Sequence, residues 1–270
     1  FPLLSHFLEN VNIQEIFSSC YPSRDPKKMW KIAQMFRDYK FDQEIISHIP
    51  AWDVQRKHRE GVLSHTLLFF ISVTQDHRWK EAFSDKEKNL VLWMVLFHDI
   101  VKRGPPICKT RDPLHPFLSA AVTLESLIHM KVLSHCPEVD EVCEILRSSF
   151  SWLDHEIYGK VQIPDFSVLD HVHQLLDIIL AGNEELKWIV LSVLHHQSVT
   201  FIQKFKQFNE IEEKDYAKYL PRDCFHITRV FLVHDSLSYA LFSPEERDPL
   251  SEEAEKCFDG VSEKLCQHIQ

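Results

Sequence analysis

The stretch Leu90–Lys102 reads LVLWMVLFHDIVK. Eight apolar residues run unbroken from Leu90 to Phe97 and give way at once to His98 and Asp99, with Lys102 three residues further on. The run is far shorter than the ~20 residues a membrane helix needs. A helix that is apolar on most faces belongs instead at the centre of a folded core. An imidazole and a carboxylate delivered side by side by such a segment have to be satisfied there. A bound cation does this while offsetting their desolvation. Lys102, one helical turn after Asp99, places an ammonium near the same pocket, suited to an anionic substrate.

Outward from this segment, apolar residues recur at three- and four-residue spacing almost everywhere, and long strict alternation is absent, so the periodicity predicts an all-α fold. Helices are expected over about 26–39, 60–74, 86–102, 115–131, 138–153, 166–181, 185–203, 222–242 and 251–267. Ser84-Asp85-Lys86-Glu87 offers capping and acidic side chains where a helix start has free N–H groups. The stretches Arg103–Pro113 and Tyr158–Pro164, with their Gly and Pro residues, are expected as loops. No linker composition or internal repeat divides the chain. The expectation is one domain spanning 1–270, with a core of about 53–241 and a helical insertion near 135–185. Ile189–Leu194, like Leu90–Phe97, should be central, and it too ends in polar groups, His195-His196.

Composition removes several function classes. The 270 residues include only five glycines, none closer than Gly159 and Gly182, which excludes GxGxxG, a P-loop and a GxSxG elbow. The net charge of -10 has the wrong sign for affinity built on a phosphate backbone. Seven scattered cysteines with no CxxC read as reduced packing residues, which fits a cytoplasmic setting, and the N-terminus carries no secretory signal pattern.

The segment Leu96-Phe97-His98-Asp99-Ile100-Val101-Lys102 resembles the LxHDIGK motif of the HD superfamily of metal-dependent phosphohydrolases, with Val101 where that motif has Gly. Accompanying parts follow in the family's order. Glu60-Gly61-Val62-Leu63-Ser64-His65-Thr66 resembles the first-His segment, Leu114-His115-Pro116-Phe117-Leu118-Ser119-Ala120 the HPxxGA-type segment, and Phe231–Ser238 the closing segment with its last ligand, Asp235. The nearest likeness is to the HD domain of CCA-adding tRNA nucleotidyltransferases. The resemblance covers roughly Asp53–Leu241 and implies an HD-type helical bundle around a metal site.

What the resemblance implies about chemistry is specific. His65, His98, Asp99 and Asp235 are the implied ligands, a set suited to a divalent Mn, Fe, Ni, Co, Zn or Mg ion. In such a site the metal polarises a phosphoryl oxygen and lowers the pKa of bound water towards ~7 for attack at phosphorus. Lys102, with Arg103, Lys109 or Arg111 from the following loop, would neutralise the substrate phosphate. Members with a second metal add histidines, here His115 with His195 or His196, and Asp99 then bridges. Adjacent helical residues point about 100° apart, so one of His195 and His196 faces the site, and His195 is the preferred one. With a single metal, His115 would instead donate a proton or hold phosphate.

The expected function is therefore hydrolysis of a nucleotide or another small phosphate ester, with no nucleic acid or membrane partner. The alternatives are an HD-type di-iron oxygenase, which requires the full two-metal histidine set, and a non-catalytic metal-stabilised HD module. Asp154-His155-Glu156, His171/His173, His226 and His234 are expected to play no part in metal binding. Phe201–Phe208 reads as an amphipathic helix with a solvated basic face.

Overall fold

The segment Val62–Thr74 is buried on every face, and its flanks, Glu60 and Gln75, bound the 16-residue helix that carries it. Such a helix must be enclosed by others. The computed structural model describes residues 2–10, 12, 34, 38, 41–53, 60–103, 112–202, 206–208, 211–240 and 244–267. In chain order its helices are α1 (Pro2–Asn10), α2 (Phe41–His48), α3 (Glu60–Gln75), α4 (His77–Glu81), α5 (Asp85–Phe97), α6 (His115–His129) and α7 (Pro137–Ser148). After the strands β1 (Phe150–His155) and β2 (Gly159–Pro164) come α8 (Leu169–Ile179), α9 (Glu184–His195), α10 (Tyr216–Tyr219), α11 (Phe225–Leu237) and α12 (Pro244–Gln267). No described helix is long and apolar enough to cross a membrane.

The chain divides into two compact units, Phe1–Leu96 with His226–Phe258, and Phe97–Phe225 with Asp259–Gln270. In the first, α3 lies against α1 and the turn Ser238–Ala240, and Phe69 stacks on Phe231 of α11 at 5.3 Å. Each fully buried Phe or Leu of this kind contributes about 1.5–3 kcal/mol. Helix ends are satisfied from neighbouring elements. The Glu44 carboxylate accepts from the backbone N–H groups of Leu3 and Leu4 at 3.1 and 3.2 Å, and the Trp52 indole donates to the Leu96 carbonyl at 3.0 Å. Ser84 and Glu87 form the expected capping box at the start of α5, with bonds of 2.8 and 3.3 Å.

A polar node closes the first unit. The Asp76 carboxylate caps α4 through the Arg78 N–H at 2.7 Å, holds the Arg78 guanidinium at 2.7 Å and meets His234 Nε2 at 2.8 Å, while His234 Nδ1 meets Ser72 Oγ at 2.6 Å. Burial would push the Asp76 carboxyl up, but His234 and Arg78 together hold it far below the usual range. With Ser72 only 3% exposed, this Ser-His-Asp arrangement is a structural clamp rather than a nucleophile site.

In the second unit α6 packs on α7 and α9, and α7 on α8. Two expectations need correction here. The helix expected over 138–153 stops at Ser148, and Phe150–His155 pairs antiparallel with Gly159–Pro164, so Tyr158–Pro164 is largely strand. Gly159, at φ +68°, supplies the left-handed residue the tight connection needs. Aromatic Phe150 and Trp152 favour a strand, and the three-residue connection between two short apolar runs is a hairpin signal that helical spacing overrode. The helix expected over 86–102 ends at Phe97, and His98–Val101 form a turn with Ile100 N–H to Phe97 O and Lys102 N–H to Asp99 O. Of the segment 26–39 only residues 34 and 38 are described, both helical.

Candidate metal centre

The turn after α5 and the facing ends of α6 and α9 bring four buried side chains of the second unit together. Asp99 Oδ1 lies 2.9 Å from His115 Nε2 and 3.9 Å from His196 Nε2, and the two Nε2 atoms are 2.9 Å apart. His98 Nε2 lies 3.6 Å from Asp99 Oδ2, and its ring meets His196 edge to face at 5.4 Å. Asp99, His115 and His196 each offer one ligand atom, all within 4.8 Å of one another, and they could hold a metal ion.

The hydrogen bonds on the far side of each ring decide what these atoms present. His115 Nδ1 bonds the Asp112 carbonyl, and His196 Nδ1 bonds the Val193 carbonyl at 2.7 Å. A carbonyl only accepts, so each Nδ1 carries a proton, which fixes the ring plane and points Nε2 inward. Burial would raise the Asp99 carboxyl, but Lys102, then His98 and His115, hold it well below the ordinary value, so it stays an anion. Three candidate ligand atoms thus converge where the side chains are at most 1% exposed. A cation bound there would offset their burial.

Around the cluster the loop is braced. Lys102 Nζ donates to Asp99 Oδ2 at 2.7 Å and remains 30% exposed. Arg103 donates to the Asp112 carboxylate at 2.9 and 2.5 Å and to Gln162 Oε1 at 3.0 Å. Burial works against the Asp112 charge, but Arg103 lowers its pKa. Asp112 is therefore fixed through its carboxylate while its carbonyl orients His115. Gln197 brings its amide to 3.4 Å from His115 Nε2, and its own buried Oε1 has no hydrogen-bond partner among the described residues.

The first unit holds the pair His65 and Asp235. His65 Nε2 lies 2.9 Å from Asp235 Oδ1, and His65 Nδ1 meets Ser238 Oγ at 2.9 Å. Ser238 gives its hydroxyl proton to the Asp235 carbonyl at 3.0 Å, so it accepts from His65 Nδ1–H. The ring is thereby fixed with Nε2 facing the Asp235 carboxylate.

Within each unit the residues read from sequence are placed as follows. His65 and Asp235 meet in the first unit. His98, Asp99, His115 and Lys102 meet in the second, joined there by His196 rather than by the preferred His195. His195 faces the other way, with Nε2 2.9 Å from His173 Nε2 and Nδ1 3.0 Å from Ser198 Oγ. Arg103, expected to bind substrate, is committed to Asp112 and Gln162. Lys109 and Arg111 lie outside the described residues. Two supporting residues were missed, Asp112 and Ser238, each three residues from the histidine or aspartate it serves. Only that spacing hinted at them. His171 pairs with Glu141 at 2.8 Å and His226 with Glu87 at 2.9 Å. Phe208 is buried against His155 and Tyr158, as the apolar side of an amphipathic segment would be. Searches with the chain matched no family model, no curated protein and no solved structure.

Proposed function

We propose that the chain is a metal-dependent phosphohydrolase of the HD type, acting on a nucleotide or another small phosphate ester. The observation that carries the reading is the convergence of Asp99 Oδ1 and the Nε2 atoms of His115 and His196 at a buried point, beside His98 and Lys102. Asp99, His98, His115 and His196 would hold the ion, and the mixed imidazole and carboxylate donors suit Mn, Fe, Co, Ni or Zn. The resemblance adds His65 and Asp235 to the ligand set. A divalent ion supplies polarisation of a phosphoryl oxygen and an acidified water. Lys102, whose ammonium already sits beside Asp99 and reaches solvent, neutralises charge that develops on the phosphoryl oxygens. His115 and His196 keep their Nδ1 protons on backbone carbonyls, which fixes their ring planes with Nε2 towards Asp99.

A di-iron oxygenase is the second reading. It is favoured by one observation, that both additional histidines of a two-metal set, His115 and His196, lie at Asp99. Elemental mass spectrometry of chain purified without chelator or added metal, followed by a phosphate-release panel of nucleotides, tests both. About one or two Mn, Co, Ni or Zn ions with phosphate release supports hydrolysis. About two irons with substrate-dependent oxygen uptake and no phosphate release moves the assignment to the oxygenase. Metal-free protein with a silent panel would sink both.

A further inference from the structure

The β1–β2 hairpin has one face tied down and one turned out. On the inner face Val161 is buried, and the His155 ring lies against Tyr158 at 4.8 Å and Phe208 at 5.0 Å. On the outer face stand Phe150, Trp152 and Asp154, with Gln162 opposite Trp152 and Lys160 opposite Asp154. Phe150 is 37% and Trp152 55% exposed, their rings meet edge to face at 6.1 Å, and the Lys160 ammonium lies 5.3 Å above the Trp152 ring. Lys160 forms no ion pair among the described residues, although Asp154 faces it across the strands.

This face is joined to the metal centre through side chains of the second unit alone. Gln162, the cross-strand neighbour of Trp152, accepts from Arg103 Nη1 at 3.0 Å, and Arg103 directly follows Lys102, whose ammonium holds Asp99 at 2.7 Å. The hairpin is thus anchored at Phe208 on one side and at Arg103 on the other, and it holds its aromatic pair in place before any ligand arrives. Rigid placement of this kind lowers the ordering cost of binding.

We propose that Phe150 and Trp152 form a stacking platform for the aromatic base of a nucleotide, with Lys160 offering positive charge to its phosphate. The proposal rests on the phosphohydrolase reading and narrows its substrate class from phosphate esters in general to nucleotides. Two observations favour a small anionic aromatic ligand over a second copy of the chain. The exposed part of the two rings amounts to roughly 200 Å², against the ~800 Å² per partner of a stable interface. The ring face is also flanked by the Lys160 ammonium, which forms no ion pair among the described residues and suits an anion rather than an apolar surface. Every base has a π-face, so stacking here implies a preference for bases as a class rather than for one base.

The test is calorimetric titration of the metal-loaded full chain with adenosine 5′-monophosphate and with ribose 5-phosphate, which lacks the base. Wild type is expected to bind the nucleotide at least ~10-fold more tightly. Trp152→Ala should bring the two ligands within about 2-fold of each other, Trp152→Phe should keep most of the preference, and Ile178→Ala, an equally exposed apolar site on α8, should keep all of it. Equal affinities in wild type, or a preference that survives Trp152→Ala, would overturn the platform. So would sedimentation showing that Trp152→Ala breaks a dimer while leaving the preference intact. Phosphate release measured on the same samples separates the two readings. Preference without hydrolysis supports the platform while the hydrolase reading fails, and hydrolysis without preference overturns the platform alone.

Discussion

Two histidine pairs of the second unit share one geometry and differ in consequence. His115 and His196 bring their Nε2 atoms to 2.9 Å, and so do His173 and His195. The difference lies on the opposite side of the rings. Both members of the first pair spend an Nδ1 proton on a backbone carbonyl, which turns both Nε2 atoms towards Asp99. In the second pair His195 Nδ1 faces the Ser198 hydroxyl, which can donate to it, leaving a proton on His195 Nε2 for His173. The second pair is complete by itself, and the first, with Asp99, could hold a metal ion. The difference teaches that the second partner of an imidazole, more than its distance to a neighbour, separates a packing histidine from a ligand.

The largest expected effect falls on the group that the His115–His196 pair shares. Asp99→Ala should empty the centre of metal and lower phosphate release by at least ~10³-fold, read by elemental analysis and phosphate detection. A fully active, metal-replete variant would remove Asp99 from the site. Next comes the contrast itself. His196→Ala should weaken metal retention ~10–100-fold in a chelator competition, whereas His195→Gln should leave it within about 3-fold. The reverse order would mean that the two pairs have been assigned the wrong roles.

A smaller effect belongs to the complete pair. Burial, chiefly, pushes the His173 imidazole down from 6.5 to about 4, so between those values the unfolded chain binds a proton that the folded chain refuses. Stability is then full above pH 6.5, falls as pH drops from 6.5 to about 4, and levels off below. The loss is on the order of 3 kcal/mol. Urea unfolding of the wild type and of His173→Gln at pH 7 and pH 5 reads it, and the variant should show the smaller drop. The smallest effect is a control outside both pairs. Ser84→Ala breaks the capping box of α5 and should cost ~1 kcal/mol in the same urea assay, with bound metal unchanged.

Much of the helical architecture was legible because its signal is local. The runs 60–74 and 115–131 match α3 and α6 closely, and Ser84–Glu87 caps α5 as its side chains suggest. Misreading came where local and long-range preferences compete. Phe150–His155 has apolar residues that a helix could use, but pairing with Gly159–Pro164 makes it a strand. Asp112 and Ser238 escaped notice because their role is to orient a histidine, and only contact with that histidine reveals it.

By itself the sequence determined the mainly helical class, the burial of Leu90–Phe97, the delivery of His98 and Asp99 at its end, and the nearness of Lys102 three residues on. Each of these depends on the order of residues within a few turns, where backbone geometry leaves little choice. The tertiary structure alone decided that His196 and not His195 turns to Asp99, that Arg103 braces Asp112 instead of reaching solvent, and that the aromatic pair on β1 stands outward. Those outcomes turn on which group each side chain meets across the fold. The partners come from residues 9 to 81 positions away, a relation that no local pattern encodes.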